Sequence, residues 1–206
     1  MKIAIAVLVV LLAFGGFVAM QADTYHVERS ATIGALPPIV FAQLDDFKAW
    51  GEWSPWDKID PDMKREYGGP ERAVGATYGW QGNSDVGRGK MTIVELERPT
   101  HIAYRLEFIE PFASIAKSTM TVVAQDTSSK VTWAMDGDRD FMSKLFGVFM
   151  DMDAMIGKDF EKGLAQLEKV AEDDAALIRA AADAIRAKQQ LETEQNAAKP
   201  DTGAKD

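Results

Sequence analysis

Two histidines, three closely spaced aspartates, a glycine-flanked arginine and two tyrosines in strand-like runs are the residues whose types and spacing invite chemistry. His26 and His101 fall in YHVERSATI and HIAYRLEFI, where each is out of phase with the apolar side of a two-residue period, so both belong to a solvent face or an edge. A general base at either position would need an acidic neighbour inside a cavity. Asp136, Asp138 and Asp140 in MDGDRD are spaced like calcium ligands, but the following glycine and distal glutamate of an EF-hand are missing. They read as a polar turn, with Asp140 placed to cap the helix that follows. Gly87-Arg88-Gly89 opens a strand rather than a helix, so it is no phosphate loop. There is no cysteine, which excludes thiol nucleophiles, disulfides and Cys-ligated metals. Neither a metal site nor a cofactor is expected. Catalysis would fall to Tyr78 or Tyr104 as an acid, partnered by a carboxylate that spacing does not identify.

What remains is an apolar set. Strand phase puts Tyr78 and Trp80, Met91 and Ile93, Tyr104, Leu106 and Phe108, and Val131, Trp133 and Met135 on common faces. A helix facing them would present Phe149, Met152, Ile156 and Phe160. Large flat rings and flexible thioethers accommodate irregular apolar guests. The expected ligand-binding residues are therefore Tyr78, Trp80, Met91, Tyr104, Phe108, Trp133, Met135, Phe149, Met152 and Ile156, lining a pocket between sheet and helix. Trp50, Trp53 and Trp56 lie beside its mouth, as a lid, as core staples or as a patch touching a bilayer surface.

The elements that must position these residues are legible in outline. Tyr25 to Ile33 alternates as a strand, and short helices are expected from Pro38 to Asp46 and from Phe47 to Trp53. Strands follow near Lys64 to Tyr67, then over Ala76 to Gly82, Gly87 to Glu97, His101 to Ile109, Ile115 to Ala124 and Lys130 to Met135. Their short polar links predict an antiparallel meander. The phase of Ile115 to Ala124 is ambiguous. From Phe141 to Val170 apolar residues recur every three or four positions, which predicts one long amphipathic helix. Gly147, Gly157 and Gly163 within it make sense where the helix must approach something closely.

The 206 residues suffice for one domain plus appendages, and a composition of 47% hydrophobic and 27% charged residues is that of a folding chain. A net charge of -9 excludes a nucleic-acid partner and adhesion to anionic lipid through a basic patch. The 18 uncharged residues from Ile3 to Met20 would form a helix roughly 27 Å long, at ~1.5 Å per residue. No clean small-x-small site follows, so the segment reads as an uncleaved single-pass anchor, with a cleaved signal peptide and a buried soluble helix as alternatives. Lys2 before the run would stay cytoplasmic and export the rest, to the periplasm or the outside. Three parts are expected: 1–22 as anchor or signal, 23–172 as the domain, and 173–206 as a charged, Ala-rich tail with little to bury.

The stretches YHVERSATI, VFAQLDDFKAWGEWSPWDKIDPDM, YGGPERAVGATYGWQGNSDVGRGKMTIVE and IGKDFEKGLAQLEKV resemble the SRPBCC group of polyketide cyclase/dehydrase-like proteins. The resemblance runs from about Thr24 to Val170. Its most distinctive part is Trp50 to Trp56, followed by Gly68-Gly69-Pro70 and Gly75. It implies the α+β helix-grip fold of the START-like superfamily, a curved antiparallel sheet wrapped around a long C-terminal helix. Many such proteins carry a leading hydrophobic helix, which is in keeping with a membrane anchor. The group includes lipid, sterol, hormone and polyketide binders as well as enzymes, and fold alone assigns no reaction. The leading expectation is a binder of an apolar small molecule or lipid, held at the membrane. The alternatives are a cyclase or hydrolase-like enzyme and an envelope-associated interaction protein that docks through its tail. Oligomeric state is left open.

Overall fold

The computed structural model describes residues 2–149 and 151–197. In chain order it contains α1 (Lys2–Ala19), β1 (Thr24–Ile33), α2 (Pro37–Leu44), α3 (Trp50–Trp53), β2 (Lys64–Gly68), β3 (Thr77–Gln81), β4 (Arg88–Glu97), β5 (His101–Glu110), β6 (Ser114–Gln125), β7 (Ser128–Asp138), α4 (Phe141–Gly147) and α5 (Met152–Ala197). All seven strands form one antiparallel sheet in the order β1-β7-β6-β5-β4-β3-β2. The meander from β2 to β7 follows from its short links, and β1 closes the far edge on β7.

Side-chain alternation decides which face is covered. Val27 and Ile33, Tyr78, Met91 and Ile93, Tyr104 and Leu106, and Val131, Trp133 and Met135 are all buried. In β6, where sequence left the phase open, Ala116, Ser118, Met120 and Val122 point inward while Ile115 and Val123 are exposed. The ambiguity arose because Ile115, Val122 and Val123 are apolar on both phases.

Helix α5 lies on the covered face through Phe160, Leu164, Leu167, Ala171 and Ala175. Two of its glycines permit the close approach that their positions suggest. A methyl group on Gly163 would stand 2.7 Å from the Trp133 ring, and one on Gly157 would collide with the Arg29 guanidinium. That guanidinium is held by Asp153 at 2.9 Å and Glu161 at 3.0 Å, pinning β1 to α5.

The single long helix expected from Phe141 to Val170 is corrected to two. Asp140 caps α4 by accepting the Ser143 N–H at 2.7 Å, as its position in MDGDRD suggested. Helix α4 ends at Gly147, against which the Arg139 side chain packs. Asp151 then starts a new helix, its carboxylate accepting the Ala154 N–H at 3.0 Å. Apolar periodicity runs on through this break, so spacing alone could not reveal it. At its other end α5 continues through the tail region to Ala197. Glu172 accepts the Gly34 N–H at 2.9 Å and Asp174 accepts from Gln43 at 2.7 Å, whereas Leu177, Ile178, Ile185 and Leu191 are exposed.

Among the described residues no helix is long and apolar enough to cross a membrane. Helix α1, with 18 residues starting on Lys2, reaches roughly 27 Å against ~30 Å of hydrocarbon core.

Candidate ligand-binding site

Three aromatic side chains anchor the floor of the site. Trp53 donates from Nε1 to the Gln43 carbonyl at 3.1 Å, while Trp50 Nε1 at 3.1 Å and the Tyr104 hydroxyl at 2.9 Å both donate to the Leu44 carbonyl. These bonds satisfy carbonyls that the end of α2 leaves without helical partners. They also lock the Trp50–Trp53 segment onto the sheet, with Trp50 and Tyr104 edge to face at 5.1 Å. Trp50 and Trp53 are thus core staples.

Beyond that floor the rings pack against one another in a cluster. Trp133 lies parallel to Phe160 of α5 at 4.2 Å, and Trp53 and Trp56 meet its edge at 5.6 and 5.7 Å. The Trp133 indole N–H donates to Ser118 Oγ at 2.9 Å, and that hydroxyl donates to the Ala134 carbonyl at 3.1 Å.

A cavity of about 250 Å³ opens on the other side of Trp133. Its walls come from β3 (Tyr78, Trp80), β4 (Met91), β5 (Leu106, Phe108) and β7 (Trp133, Met135), and its roof from α3 and the α3–β2 connection, where Trp56, Asp57 and Met63 lie. Asp85 and Val86 of the β3–β4 turn stand at the mouth. The volume is slightly below the ~300 to 1,000 Å³ of drug-sized sites, which suits a compact guest.

Six of the ten residues expected from sequence meet here: Tyr78, Trp80, Met91, Phe108, Trp133 and Met135. The other four do not line it, which also moves the cavity from between sheet and C-terminal helix to between sheet and α3–β2 connection. Tyr104 is fully buried and its hydroxyl is committed to Leu44. Ile156 is half-buried against the core. Met152 and Phe149 border a surface groove beside β1, and Phe149 is 73% exposed with its ring 6.3 Å from Phe14 of α1. The physical reason is the break between α4 and α5, which turns Phe149 off the covered face, while Phe160 fills the space the helix was expected to leave.

The residue that sequence missed is Asp57. Its side chain is 5% exposed, and Arg65 grips it: Nε donates to Oδ1 at 2.6 Å and another guanidinium nitrogen to the Asp57 carbonyl at 3.1 Å. The Tyr78 hydroxyl reaches Oδ1 at 3.3 Å and Oδ2 at 3.5 Å, long for an O–H donor. Burial, and then the Asp57 charge, push the Tyr78 phenol well above its ordinary range, and the hydrogen bond that Arg65 donates to Asp57 raises its guanidinium. Burial raises Tyr104 as well. No local signal marks Asp57, since it sits in a turn and meets Tyr78 only across the sheet.

The two histidines stay outside. His26 Nδ1 pairs with Asp136 at 2.7 Å on the exposed face of β1 and β7, and His101 lies 3.2 Å from Glu95 at the β4–β5 end.

In fold, the chain is similar to a protein from Chromobacterium violaceum (TM-score 0.52, 15% identity, 73% of this chain and 97% of that one). It is likewise similar to a protein from Mesorhizobium loti (0.53, 16%, 72% and 98%) and to the Aha1 dimer from Colwellia psychrerythraea (0.52, 13%, 72% and 96%). At such identities the likeness concerns the fold alone. No curated protein matches the sequence. The family described as polyketide cyclase / dehydrase and lipid transport matches residues 24–172, which span the sheet, the cavity and the packed part of α5, and the chain belongs to that family.

Proposed function

We propose that the domain binds a compact apolar small molecule in the cavity beneath the α3–β2 connection, and that α1 holds it at a membrane with the domain on the exported side. The observation that carries the binding reading is the cavity of about 250 Å³ walled by Trp56, Trp80, Phe108, Trp133, Met91 and Met135. Such rings and thioethers favour an apolar guest. Binding is favoured over catalysis because Tyr78, the cavity phenol beside the Asp57 carboxylate, is shifted upward, and an acid so weakened delivers protons poorly at neutral pH.

The membrane reading is supported by α1, whose large apolar side chains from Val7 to Leu12 are exposed on every side, Val10 at 65% and Leu12 at 67%, while Val18 near its end is buried. A helix apolar on every side needs a cover other than water. The few ångströms missing from a full span are of the size that local thinning and an interfacial Lys2 accommodate. Helix α4 continues the apolar surface with Phe141, Met142 and Phe146, and Phe146 meets Phe112 of the β5–β6 turn at 6.3 Å. This face would rest against the bilayer surface.

Native mass spectrometry of the full chain, purified from its producing cell, with organic extraction of what travels with it, tests the binding reading. An apolar guest recovered unchanged is the expected result. An empty protein that also takes up no apolar probe would refute it, and conversion of the guest would favour the enzyme instead. Retention of the full chain in carbonate-washed membranes tests the tether, and its release would refute that part.

A further inference from the structure

The cavity has one polar corner, and its wiring is incomplete. Of the residues that line it, Ser54, Asp57, Tyr78, Asp85 and Ser118 carry polar side-chain groups, and Trp50, Trp56, Trp80 and Trp133 add one indole N–H donor each. Ser118 is committed to Trp133 and Ala134. Asp57 Oδ1 is satisfied by Arg65 at 2.6 Å. The single Tyr78 proton can serve only one carboxylate oxygen at a time, and the nearer is Oδ1, so Oδ2 of this cavity-lining residue has only a long contact to the same hydroxyl at 3.5 Å. The Tyr78 oxygen retains acceptor capacity beside it, and its one proton is free for a guest only if it leaves Asp57. A carboxylate buried to this degree with an unmet lone pair is costly unless a partner arrives.

Charge narrows the partner further. Asp57 and Asp85 both border the cavity, and among the described residues no lysine, arginine or histidine lines it. A guest carboxylate or phosphate would face Asp85 and an Asp57 whose arginine is already engaged, with no cation of its own.

We infer that the guest is a neutral, largely apolar molecule carrying one hydroxyl, an alcohol or phenol, whose oxygen bridges Tyr78 and Asp57 from the cavity side, donating to Asp57 Oδ2 and accepting from the Tyr78 hydroxyl. This inference rests on the cavity reading above. At 3.3 and 3.5 Å the Tyr78 proton is only loosely held by Asp57 and can turn to a guest oxygen at normal hydrogen-bond distance. The rings of Trp80 and Phe108, edge to face at 6.1 Å, flank the path of the apolar remainder.

The test titrates the full chain in detergent micelles with naphthalene, naphthol and naphthoate by calorimetry, against protein-free micelles as blank. Naphthol should bind at least about tenfold tighter than naphthoate, since an uncompensated buried charge is far costlier than a satisfied hydroxyl. Tyr78→Phe should weaken naphthol by about two- to tenfold, the worth of one hydrogen bond, and leave naphthalene unchanged. Micelle partition of each probe is the same for both proteins, so their ratio reads the site alone. Asp57→Asn should narrow the preference over naphthoate. Should that variant fail to fold, the Tyr78→Phe comparison still decides. Naphthoate binding as tightly as naphthol, or Tyr78→Phe affecting naphthol and naphthalene equally, would overturn the inference while leaving the cavity reading intact. If none of the three binds above the blank, the cavity reading fails and takes the inference with it.

Discussion

Two buried aspartates sit at opposite ends of the aromatic floor and are held differently. Asp45, at the C-terminal end of α2, has a side chain 0% exposed, with Arg72 donating to Oδ1 at 2.7 and 2.9 Å and Arg98 to Oδ2 at 2.5 Å. Both of its oxygens are occupied. The arginines come from the β2–β3 connection and the β4–β5 turn, and Arg98 also donates to the Arg72 carbonyl. The clamp thus ties α2 to two parts of the sheet. Asp57 has one arginine, a loose phenol and a cavity in front of it. A carboxylate with every lone pair used contributes only to structure, whereas one left partly free in an apolar space is a handle for a guest.

The comparison extends to the rings around them, and truncations should grade accordingly. At the closed end, Trp53→Ala removes a fully buried indole and should cost ~3 to 5 kcal/mol in urea unfolding of the full chain, since neighbours locked to α2 cannot collapse into the void. A cost under ~1.5 kcal/mol would show that the floor is as loose as the cavity. Asp45→Ala should follow at ~2 to 4 kcal/mol, below a fully buried pair because both arginines are nearly half exposed and remain partly solvated. Probe affinity of the folded variant should be unchanged, and a change would erase the distinction between the two ends.

Asp57→Asn should cost only ~1 kcal/mol, because the amide oxygen still accepts from Arg65 while charge assistance is lost. A penalty as large as that of Asp45→Ala would mean that Asp57 is a structural clamp too. The smallest effect belongs to a third aspartate, Asp136 on the surface. The hydrogen bond that His26 donates to Asp136, aided by Glu28 and Asp153, raises its folded pKa. Stability from this pair is therefore full below the unfolded value of ~6.5 and fades as pH rises through the folded one. Solvent exposure limits it to a few tenths of a kcal/mol, so His26→Gln should destabilise slightly at acidic pH and not at all in alkaline solution. An equal loss at both pH extremes would contradict the ion-pair origin.

Much of the fold was legible because it is written locally. Strand phase needs only a period of two, and it placed Tyr78, Met91, Trp133 and Met135 on the inner face and the histidines on the outer one. Turn chemistry and short links gave the meander. The Trp50 to Trp56 segment and the glycines around it carried the family resemblance, and the two α5 glycines anticipated the close approach of Arg29 and Trp133.

The site's position was decided elsewhere. Whether Phe149 faces a cavity depends on Asp151 restarting the helix and on Arg139 packing against Gly147, neither of which disturbs the apolar period. Where empty space remains depends on which rings stack, and Phe160 fills the volume beside Trp133 so fully that the vacancy lies beneath Trp56 and Asp57 instead. The polar corner joins Asp57 and Tyr78 across 21 positions of chain, through a turn and a strand whose geometry only the folded sheet sets. Sequence by itself determined which faces are apolar, because that follows from the spacing of neighbours along one element. Tertiary structure alone decided which apolar residues meet each other and which meet a void, because packing is a property of volumes contributed by elements far apart in the chain.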